Sequence, residues 1–443
     1  MHKKAEFFGA YRYLAVIGVI LITCAFAPVR SAAEDNSPGS PETVSMYYYG
    51  TYLSMGKDNQ PHLIPFYWQG TTKSDLSVPE GTSITYLKGI SAYNNTAYTV
   101  GYYCTAGLVS RACYWQGTTR IDLPLPEDAL VSSANAITIV NGTIYIAGYY
   151  VIEGAFIPCY WQGSERIDLS IPDGETSYTP YAICVADGMV YTSGCYQDPK
   201  SGKLQEKGGT VRPCYWQGTT RVDLSIPDGI KEIKLSSFKV VEGTAYTTAY
   251  YKDMLAEKPC YWEGSTRVDL PIPDITMDKF PNISMQTGCT SSIAVYDGTV
   301  YTSGFYSEKS GLFKPCYWQG TERIDLPLPA GAVTNSINSQ IAVDGGTVYI
   351  TGGYRGNKGA MLCYWQGTTR VDLPAPGLPA PGASTNISSI SVINGTVYIG
   401  SYYGGSGSLT SCYWQGAEIK DLGSISVAGF SNPGITGACM VVK

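Results

Sequence analysis

Apolar and polar residues alternate in short segments that recur along the chain. In one copy, Ile293–Tyr296 and Thr299–Tyr306 flank Asp297-Gly298, a pair that suits a two-residue hairpin because both residues tolerate positive φ. Cys316–Gln319 and Arg323–Leu326 follow across a second glycine turn. A period of two is typical of β-strands. Each copy therefore predicts four antiparallel strands, which we name A, B, C and D in chain order.

The chain contains eight copies of this unit. Each has one tryptophan in strand C, and neighbouring tryptophans are 46 to 56 residues apart. Four short strands in about fifty residues are typical of a β-propeller blade. The sequence predicts an all-β, eight-bladed propeller over residues 44–443. The tryptophans are Trp68, Trp115, Trp161, Trp216, Trp262, Trp318, Trp365 and Trp414.

The strand A–B hairpin resembles the kelch repeat. That family pairs a "DGxIYxxGG" hairpin with a later tryptophan, and "DGGTVYITGGY" at Asp344–Tyr354 comes close to it. Most blades replace the second glycine, as Tyr149 and Phe305 show. The resemblance covers nearly all of the chain after residue 43. It implies a propeller with a binding face and specifies no ligand.

The two ends of the chain predict how the ring closes. "VSMYYYGTY" after residue 43 matches strand B with no strand A before it, and "GACMVVK" at the C-terminus matches a strand A with no successor. Pairing of these segments would complete the first blade. It would also remove two exposed strand edges, which otherwise promote aggregation.

The first 43 residues predict export. Lys3, Lys4 and Arg12 precede the apolar run Leu14–Ala27, which is short for a membrane span, and Ser31-Ala32-Ala33 offers a cleavage site. Residues 1–33 therefore resemble a signal peptide, with 34–43 as a polar tether. An alternative is a lipoprotein-type leader in which Cys24 is lipidated, although Thr23 departs from the usual small residue there. A third alternative is an uncleaved anchor. The expected location is extracellular, periplasmic or at the cell surface.

The charge content of the chain bears on which classes of partner it can bind. Charged residues make up 15% of the chain, and the formal net charge is −6. Binding to nucleic acid requires clustered Lys and Arg, and no such cluster is present. We therefore expect no nucleic-acid partner.

Thirteen cysteines raise the question of disulfides. Packed sheets lie about 10 Å apart, which is too far for a bridge between equivalent cysteines of adjacent blades. We expect most of them to be free, buried thiols. Bridges between Cys104 and Cys113, and between Cys195 and Cys214, remain open alternatives within a blade. Seven cysteines share the position two residues before the tryptophan: Cys113, Cys159, Cys214, Cys260, Cys316, Cys363 and Cys412.

Two further repeated features have alternative roles. Strand D carries Arg-x-Asp, as at Arg267 and Asp269, which fits a charged outer edge or a ring of ligand or calcium groups. The last tyrosine of strand B recurs from Tyr52 to Tyr403 and either packs within the blade or lines the channel mouth. Packing is the interpretation that we favour for both features.

The sequence contains none of the familiar catalytic motifs. His62 is the only histidine after the leader, and no CxxC, HExxH, GxSxG or phosphate-binding loop occurs. We expect no cofactor and no metal. Hydrolysis by a carboxylate pair needs only Asp and Glu, so an enzyme that acts on carbohydrate stays an alternative.

Length variation predicts where a partner binds. The B–C and D–A connections vary in length, whereas the A–B and C–D turns are constant, so variation is confined to one face of the disc. Functional residues favour loops on a rigid scaffold. The longest insertions, 197–212 and 275–289, flank the connection 252–259. We predict a binding or scaffold module for a protein or glycan, with a contact patch formed by Lys203, Lys207, Arg212, Lys252, Lys258, Lys279 and Phe280.

Overall fold

The computed structural model describes residues 44–55, 61–105, 109–172, 178–197, 211–230, 232–253, 256–273, 286–307, 312–334, 339–356, 359–374, 384–405, 408–426 and 434–442. These residues form strands and turns, with no helix among them. In particular, the described part of the chain has no helix with the length and apolar character of a membrane span. The leader and the tether lie outside the described residues, so the export signal and the lipidation of Cys24 remain predictions.

Thirty-three strands are described. In chain order they are β1 (Val44–Met55), β2 (Pro61–Gln69), β3 (Thr72–Asp75), β4 (Ile84–Tyr93), β5 (Thr96–Cys104), β6 (Ser110–Gln116), β7 (Thr119–Asp122), β8 (Val131–Val140), β9 (Thr143–Ile152), β10 (Ala155–Gln162), β11 (Glu165–Asp168), β12 (Tyr178–Ala186), β13 (Met189–Gln197), β14 (Val211–Gln217), β15 (Thr220–Asp223), β16 (Glu232–Val241), β17 (Thr244–Lys252), β18 (Ala256–Glu263), β19 (Thr266–Asp269), β20 (Gln286–Tyr296), β21 (Thr299–Ser307), β22 (Phe313–Gln319), β23 (Glu322–Asp325), β24 (Val333–Thr334), β25 (Ile341–Asp344), β26 (Thr347–Gly356), β27 (Gly359–Gln366), β28 (Thr369–Leu373), β29 (Ser384–Ile393), β30 (Thr396–Gly405), β31 (Ser408–Gln415), β32 (Glu418–Ser426) and β33 (Gly434–Val442).

The strands form eight antiparallel blades in a ring, which confirms the predicted eight-bladed propeller. Each blade has the strand order A-B-C-D, and in blade 7 strand A consists of β24 and β25. Strand A of every blade contacts strand A of the next blade, including β29 with β33 and β33 with β4. The A strands therefore surround the centre of the ring, and the D strands form its outer edge. Blades 5 and 6 are also joined by a short parallel pairing between β18 and β20.

Ring closure follows the prediction from the chain ends. β33 pairs antiparallel with β1, with Tyr48 opposite Ala438. Blade 1 thus takes strand A from the C-terminus and strands B, C and D from the N-terminal region. The predicted strand A was too short: in blade 6 it spans Gln286–Tyr296 rather than Ile293–Tyr296, because its pairing with β21 continues to Gly288.

The repeated tryptophans join each blade to the one before it. All eight rings are buried, and in seven of them the indole N–H donates to the carbonyl of a residue just after strand D of the preceding blade. Seven pairs have donor–acceptor distances of 2.7–3.1 Å: Trp115 with Ser77, Trp161 with Pro124, Trp216 with Ser170, Trp262 with Ser225, Trp318 with Pro271, Trp365 with Pro327 and Trp414 with Pro374. Tryptophan therefore supplies both packing area and a hydrogen bond between blades.

The interface that closes the ring uses a different donor. Trp68 is buried, but its Nε1 has no hydrogen-bond partner among the described residues. Tyr48 lies opposite Trp68 on β1, and its hydroxyl is 2.9 Å from the carbonyl oxygen of Cys412 and 3.1 Å from that of Ser401, both in blade 8. At this interface the hydrogen-bond donor between blades is therefore the phenol of Tyr48, and its acceptors lie in strands B and C of blade 8.

The difference between these interfaces gives a matched pair of variants. Trp216→Phe removes the bond to the carbonyl of Ser170, whereas Trp68→Phe removes a similar volume and no hydrogen bond seen among the described residues. We expect Trp216→Phe to cost about 0.5–1.5 kcal/mol more stability than Trp68→Phe. Urea unfolding of both variants measures this difference. Equal losses would show that the indole contributes through packing alone.

Strand D and the last tyrosine of strand B form one cluster in six of the blades. In blade 3, Tyr150 donates to Asp168 Oδ2 at 2.9 Å, and Arg166 Nε donates to Asp168 Oδ1 at 3.0 Å. The Arg166 guanidinium lies 4.8 Å from the centre of the Tyr150 ring, and Cys159 is directly opposite Asp168. The same arrangement recurs around Tyr103, Tyr251, Tyr306 and Tyr354. Around Tyr52 in blade 1, Lys73 replaces the arginine and Phe66 replaces the cysteine. Both features that the sequence left open serve blade packing in these blades.

The described cysteines are free thiols, as predicted. Cys104 lies opposite Ser110, and Cys195 lies opposite Pro213, so neither faces the cysteine with which a bridge was considered. The free thiols are Cys104, Cys113, Cys159, Cys184, Cys195, Cys214, Cys260, Cys289, Cys316, Cys363 and Cys412.

Candidate functional site

The two ends of the strands define two different faces. The A–B and C–D turns lie at one end, which we call the turn face, and they have positive φ at residues such as Asn141 (50°) and Gly163 (59°). The B–C and D–A connections lie at the other end, which we call the loop face. The connections that vary in length between blades therefore lie at the loop face.

The predicted contact patch is only partly within the described residues. Lys203, Lys207, Lys279 and Phe280 lie outside them. Arg212 lies on β14 opposite Tyr196, and Lys252 and Lys258 lie at the loop-face ends of β17 and β18. The structure thus places the last two on adjacent strands of blade 5.

Carboxylates accompany both lysines of blade 5. Lys258 Nζ lies 2.7 Å from Asp253 Oδ2. Lys252 is opposite Glu232 on one side and Glu257 on the other. This part of the patch therefore presents mixed charge to a partner rather than a basic surface.

The innermost strands carry a feature that the repeat did not reveal. Seven of them have a bulge at the same place, where one extra residue interrupts pairing with strand B. Bulges redirect side chains and are common beside functional sites. The extra residues are Lys88, Asn135, Tyr181, Ser236, Ser291, Ser388 and Thr436. Their chemical variety gives each sector of the ring its own character.

Contacts between blades hold several of these bulges in place. Tyr49 of blade 1 donates to the carbonyl of Lys88 at 2.8 Å. Asn135 Nδ2 donates to the carbonyl of Pro180 in blade 4 at 2.9 Å. Ser236 Oγ lies 3.2 Å from Thr290 Oγ1 of blade 6. The inner ring is therefore ordered by hydrogen bonds at the level of the bulges.

Blade 2 presents an aromatic pair and a lysine at this level. Tyr86 and Tyr102 are opposite each other, with ring centres 5.0 Å apart and planes inclined by 32°. Lys88 Nζ lies 6.0 Å from the centre of the Tyr86 ring and 5.9 Å from that of Tyr102. Tyr86 is 43% exposed. We call these three residues the Tyr86 cluster.

Lys88 is accessible to solvent yet surrounded by protein. Burial lowers the pKa of Lys88 below its usual value, although the side chain is exposed. β4 is innermost, with three strands outside it and a blade on each side, so the exposed Lys88 lies at the inner edge of blade 2. No carboxylate of the described residues forms an ion pair with it. The Tyr86 cluster therefore combines apolar rings with a cation that no described carboxylate neutralises.

Blade 5 has a related group with a different charge balance. Lys234 Nζ lies 5.6 Å from the centre of the Tyr250 ring, and it also lies 3.3 Å from Glu232 Oε1. Burial tends to lower the pKa of Lys234, but Tyr250 and Glu232 raise it overall. Nearby, Cys289 Sγ donates to Glu257 Oε2 at 3.6 Å, and burial together with this carboxylate raises the pKa of the thiol. In blade 5 the protein supplies its own anions.

The repeat did not point to the Tyr86 cluster. Tyr86 and Lys88 lie at positions where the copies carry different residues, whereas the repeat is recognised from positions that carry the same residue. The available signal was the lysine within an otherwise apolar and hydroxyl-bearing strand A. Among the described residues, no three His, Cys, Asp or Glu side chains come together as a metal site.

Comparisons with known proteins find similarity at the level of structure. No protein-family model matches the chain, and no curated protein sequence matches it. Among solved structures, the chain is similar to the polysaccharide lyase Uly1, at 13% identity over 78% of this chain and 94% of that one, with a TM-score of 0.43. It is also similar to a sialidase from Trypanosoma rangeli, at 10% identity over 84% of this chain and 83% of that one, with a TM-score of 0.34.

A peptidase gives a further structural match. Oligopeptidase B from Trypanosoma brucei is 7% identical over 78% of this chain and 49% of that one, with a TM-score of 0.45. The chain thus spans about half the length of that peptidase. We draw no functional conclusion from these matches, because the identities and TM-scores are low.

Proposed function

We propose that the chain is an exported module that binds or scaffolds a protein or glycan through its loop face. The observation that carries this proposal is the exposure of Tyr86 and Lys88 on the innermost strand of blade 2. An exposed aromatic ring beside a cation is the kind of surface on which binding energy concentrates. The repeated Trp, Cys and Asp residues described above pack within and between blades instead. The kelch-like type and the export signal are part of the proposal.

A carbohydrate-active enzyme is the second candidate, and one observation favours it. Glu232 and Glu257 flank Lys252 in register on three adjacent strands of blade 5. Strands two apart are separated by about 9–10 Å. Inverting glycosidases hold their two carboxyl groups roughly 6.5–9.5 Å apart. This pair could therefore supply an acid and a base at the loop face.

Binding experiments with variants of the two faces test the proposal. Tyr86→Ala and a nine-residue deletion within 198–210, which gives this connection the length seen in blade 3, change the loop face. Tyr296→Ala removes a tyrosine of similar exposure, 40%, at the turn face. The purified proteins are tested on a glycan array and against proteins of the native envelope. We expect at least one loop-face variant to lose about tenfold or more in affinity for a ligand of the unchanged protein, and Tyr296→Ala to retain it. Equal losses from both faces would contradict the proposal.

An activity measurement distinguishes the two candidates. Release of reducing ends from soluble polysaccharides would favour the enzyme, provided that Glu232→Gln and Glu257→Gln each abolish it while Glu242→Gln, in a turn-face hairpin, does not. A binding module releases none.

A further inference from the structure

We propose that the Tyr86 cluster is a subsite for one carboxylate-bearing sugar unit, such as a uronic acid within a glycan. This inference rests on the proposed function, because it names the class of ligand that the loop face would bind. Two observations support it: the arrangement of Tyr86, Tyr102 and Lys88, and the different charge balance of the related group in blade 5.

The two tyrosines supply an apolar platform. Their rings lie against each other, with centres 5.0 Å apart and planes inclined by 32°, and Tyr86 is 43% exposed, so Tyr86 offers the surface on which a sugar can stack. A pyranose ring has one face made largely of C–H groups, which loses contact with water when it stacks on aromatic rings. The exposed Tyr86 also carries a phenol hydroxyl, a group that can exchange hydrogen bonds with sugar hydroxyls. The platform therefore suits a sugar ring.

Lys88 supplies the specificity for an acid. Its ammonium group is nearly equidistant from the two ring centres, at 6.0 and 5.9 Å. A carboxylate on a sugar that is stacked on this platform would lie near the ammonium group. Because the surrounding protein makes the charged lysine unfavourable, an anionic ligand would recover part of that cost. A neutral sugar would gain only the stacking contribution.

In blade 5 the charge of the lysine is neutralised by the protein itself, so no ligand is needed. Lys234 and Tyr250 repeat the combination of a lysine and a strand-B tyrosine, but Glu232 lies within an ion-pair distance of 3.3 Å. The lysine there already has its anion. The two blades thus differ in one component. In blade 5 the protein supplies a carboxylate, and in blade 2 we assign that carboxylate to the ligand.

A sugar fits these observations better than an acidic peptide. A uronic acid fixes its carboxylate to the ring that stacks, so one rigid unit reaches the tyrosines and the lysine together. An acidic peptide carries its carboxylate on flexible side chains, and ordering these side chains on binding costs conformational entropy. The bulge at Lys88 is fixed by Tyr49, so the protein side is already ordered.

Calorimetric titration with matched saccharides tests the proposal. The probes are cellotetraose and its C6-carboxylated counterpart, with polygalacturonate and alginate oligomers as further acids and a glutamate peptide as the competitor class. We expect an acidic saccharide to bind about tenfold or more tightly than cellotetraose, as one charge-assisted hydrogen bond predicts. Lys88→Met should abolish that preference, and Lys88→Arg should keep much of it. Tyr86→Ala should weaken the binding of acidic and of neutral saccharides to a similar extent.

The controls separate this proposal from the proposed function. Lys234→Met and Tyr296→Ala should leave saccharide binding unchanged. Binding of another ligand through the loop face, with no acidic saccharide bound, would overturn the subsite and retain the module. Equal binding of the glutamate peptide, or an acid preference that survives in Lys88→Met, would also overturn it. If Lys88→Met does not fold, Lys88→Gln and the comparison of acidic with neutral probes on the unchanged protein decide the question.

Discussion

The protein is expected to unfold as the pH rises above about 9, because its buried thiols stay protonated in the folded state. Burial raises the pKa of Cys195 and of Cys412 from 9.0 to about 12. Burial, followed by the carboxylate of the opposite aspartate, raises the pKa of Cys159 and Cys316 as well. An unfolded chain would release these protons near pH 9.0, whereas the folded chain holds them.

The direction and the size of the effect follow from proton linkage. A group whose pKa is raised on folding contributes its stability fully below its unfolded pKa and loses that contribution as pH rises toward its folded pKa. Each such thiol costs about 1.4 kcal/mol per pH unit in this window. The eight buried thiols with raised pKa are Cys113, Cys159, Cys195, Cys260, Cys289, Cys316, Cys363 and Cys412. Because the contributions of these thiols add, the free energy of unfolding falls steeply above about pH 9, and a typical domain has only about 5–15 kcal/mol to lose.

Thermal melts at successive pH values measure this effect. We expect a nearly constant melting temperature up to about pH 8.5 and a steep fall above it. A variant with Cys159→Ala, Cys260→Ala and Cys316→Ala should show a shallower fall, since alanine does not titrate. The slope is compared rather than the melting temperature itself, because the substitutions also change packing. A melting temperature that stays constant to about pH 10.5 would contradict the assignment of these thiols as buried and protonated.

The sequence predicted the parts of this fold that are repeated. Alternation and hairpin turns located the four strands of each blade, and the spacing of the tryptophans gave their number. The packing role of Cys and Asp followed from their repetition in seven and in eight blades, because a single ligand site does not need equivalent residues around the whole ring. The hydrogen bond from Trp216 to Ser170 was not predictable, since its acceptor is a backbone carbonyl and leaves no mark on the sequence.

The site is harder to predict than the fold for a physical reason. A bulge adds one residue to strand A, and the strand restores its register afterwards, so the insertion looks like ordinary variation between copies. Whether Lys88 or Lys252 can meet a ligand also depends on neighbours from other strands. Glu232 and Glu257 lie beside Lys252, and this pairing is set by register rather than by sequence distance.

The other large effect is expected at the point of ring closure. Removing residues 438–443 deletes the partners of Met46, Tyr47 and Tyr48 on β1. These three side chains are almost fully buried, and each contributes about 1.5–3 kcal/mol through burial. The deletion also leaves β1 as an unpaired inner edge, which favours association with another chain. We expect aggregation, or a melting temperature lower by roughly 10 °C or more.

Two controls make this prediction specific to the closing strand. Removal of Lys443 alone, beyond the end of β33, should leave the melting temperature unchanged. A synthetic peptide with the sequence of 434–443 should restore solubility and melting temperature when it is added to the truncated protein during refolding, because it can pair with β1 in place of the missing strand. A truncated protein that stays monomeric and melts at the original temperature would show that β33 does not hold the ring closed. Rescue by a peptide of the same composition in scrambled order would show that the effect is not due to strand pairing, since the register of Tyr48 with Ala438 requires the native order.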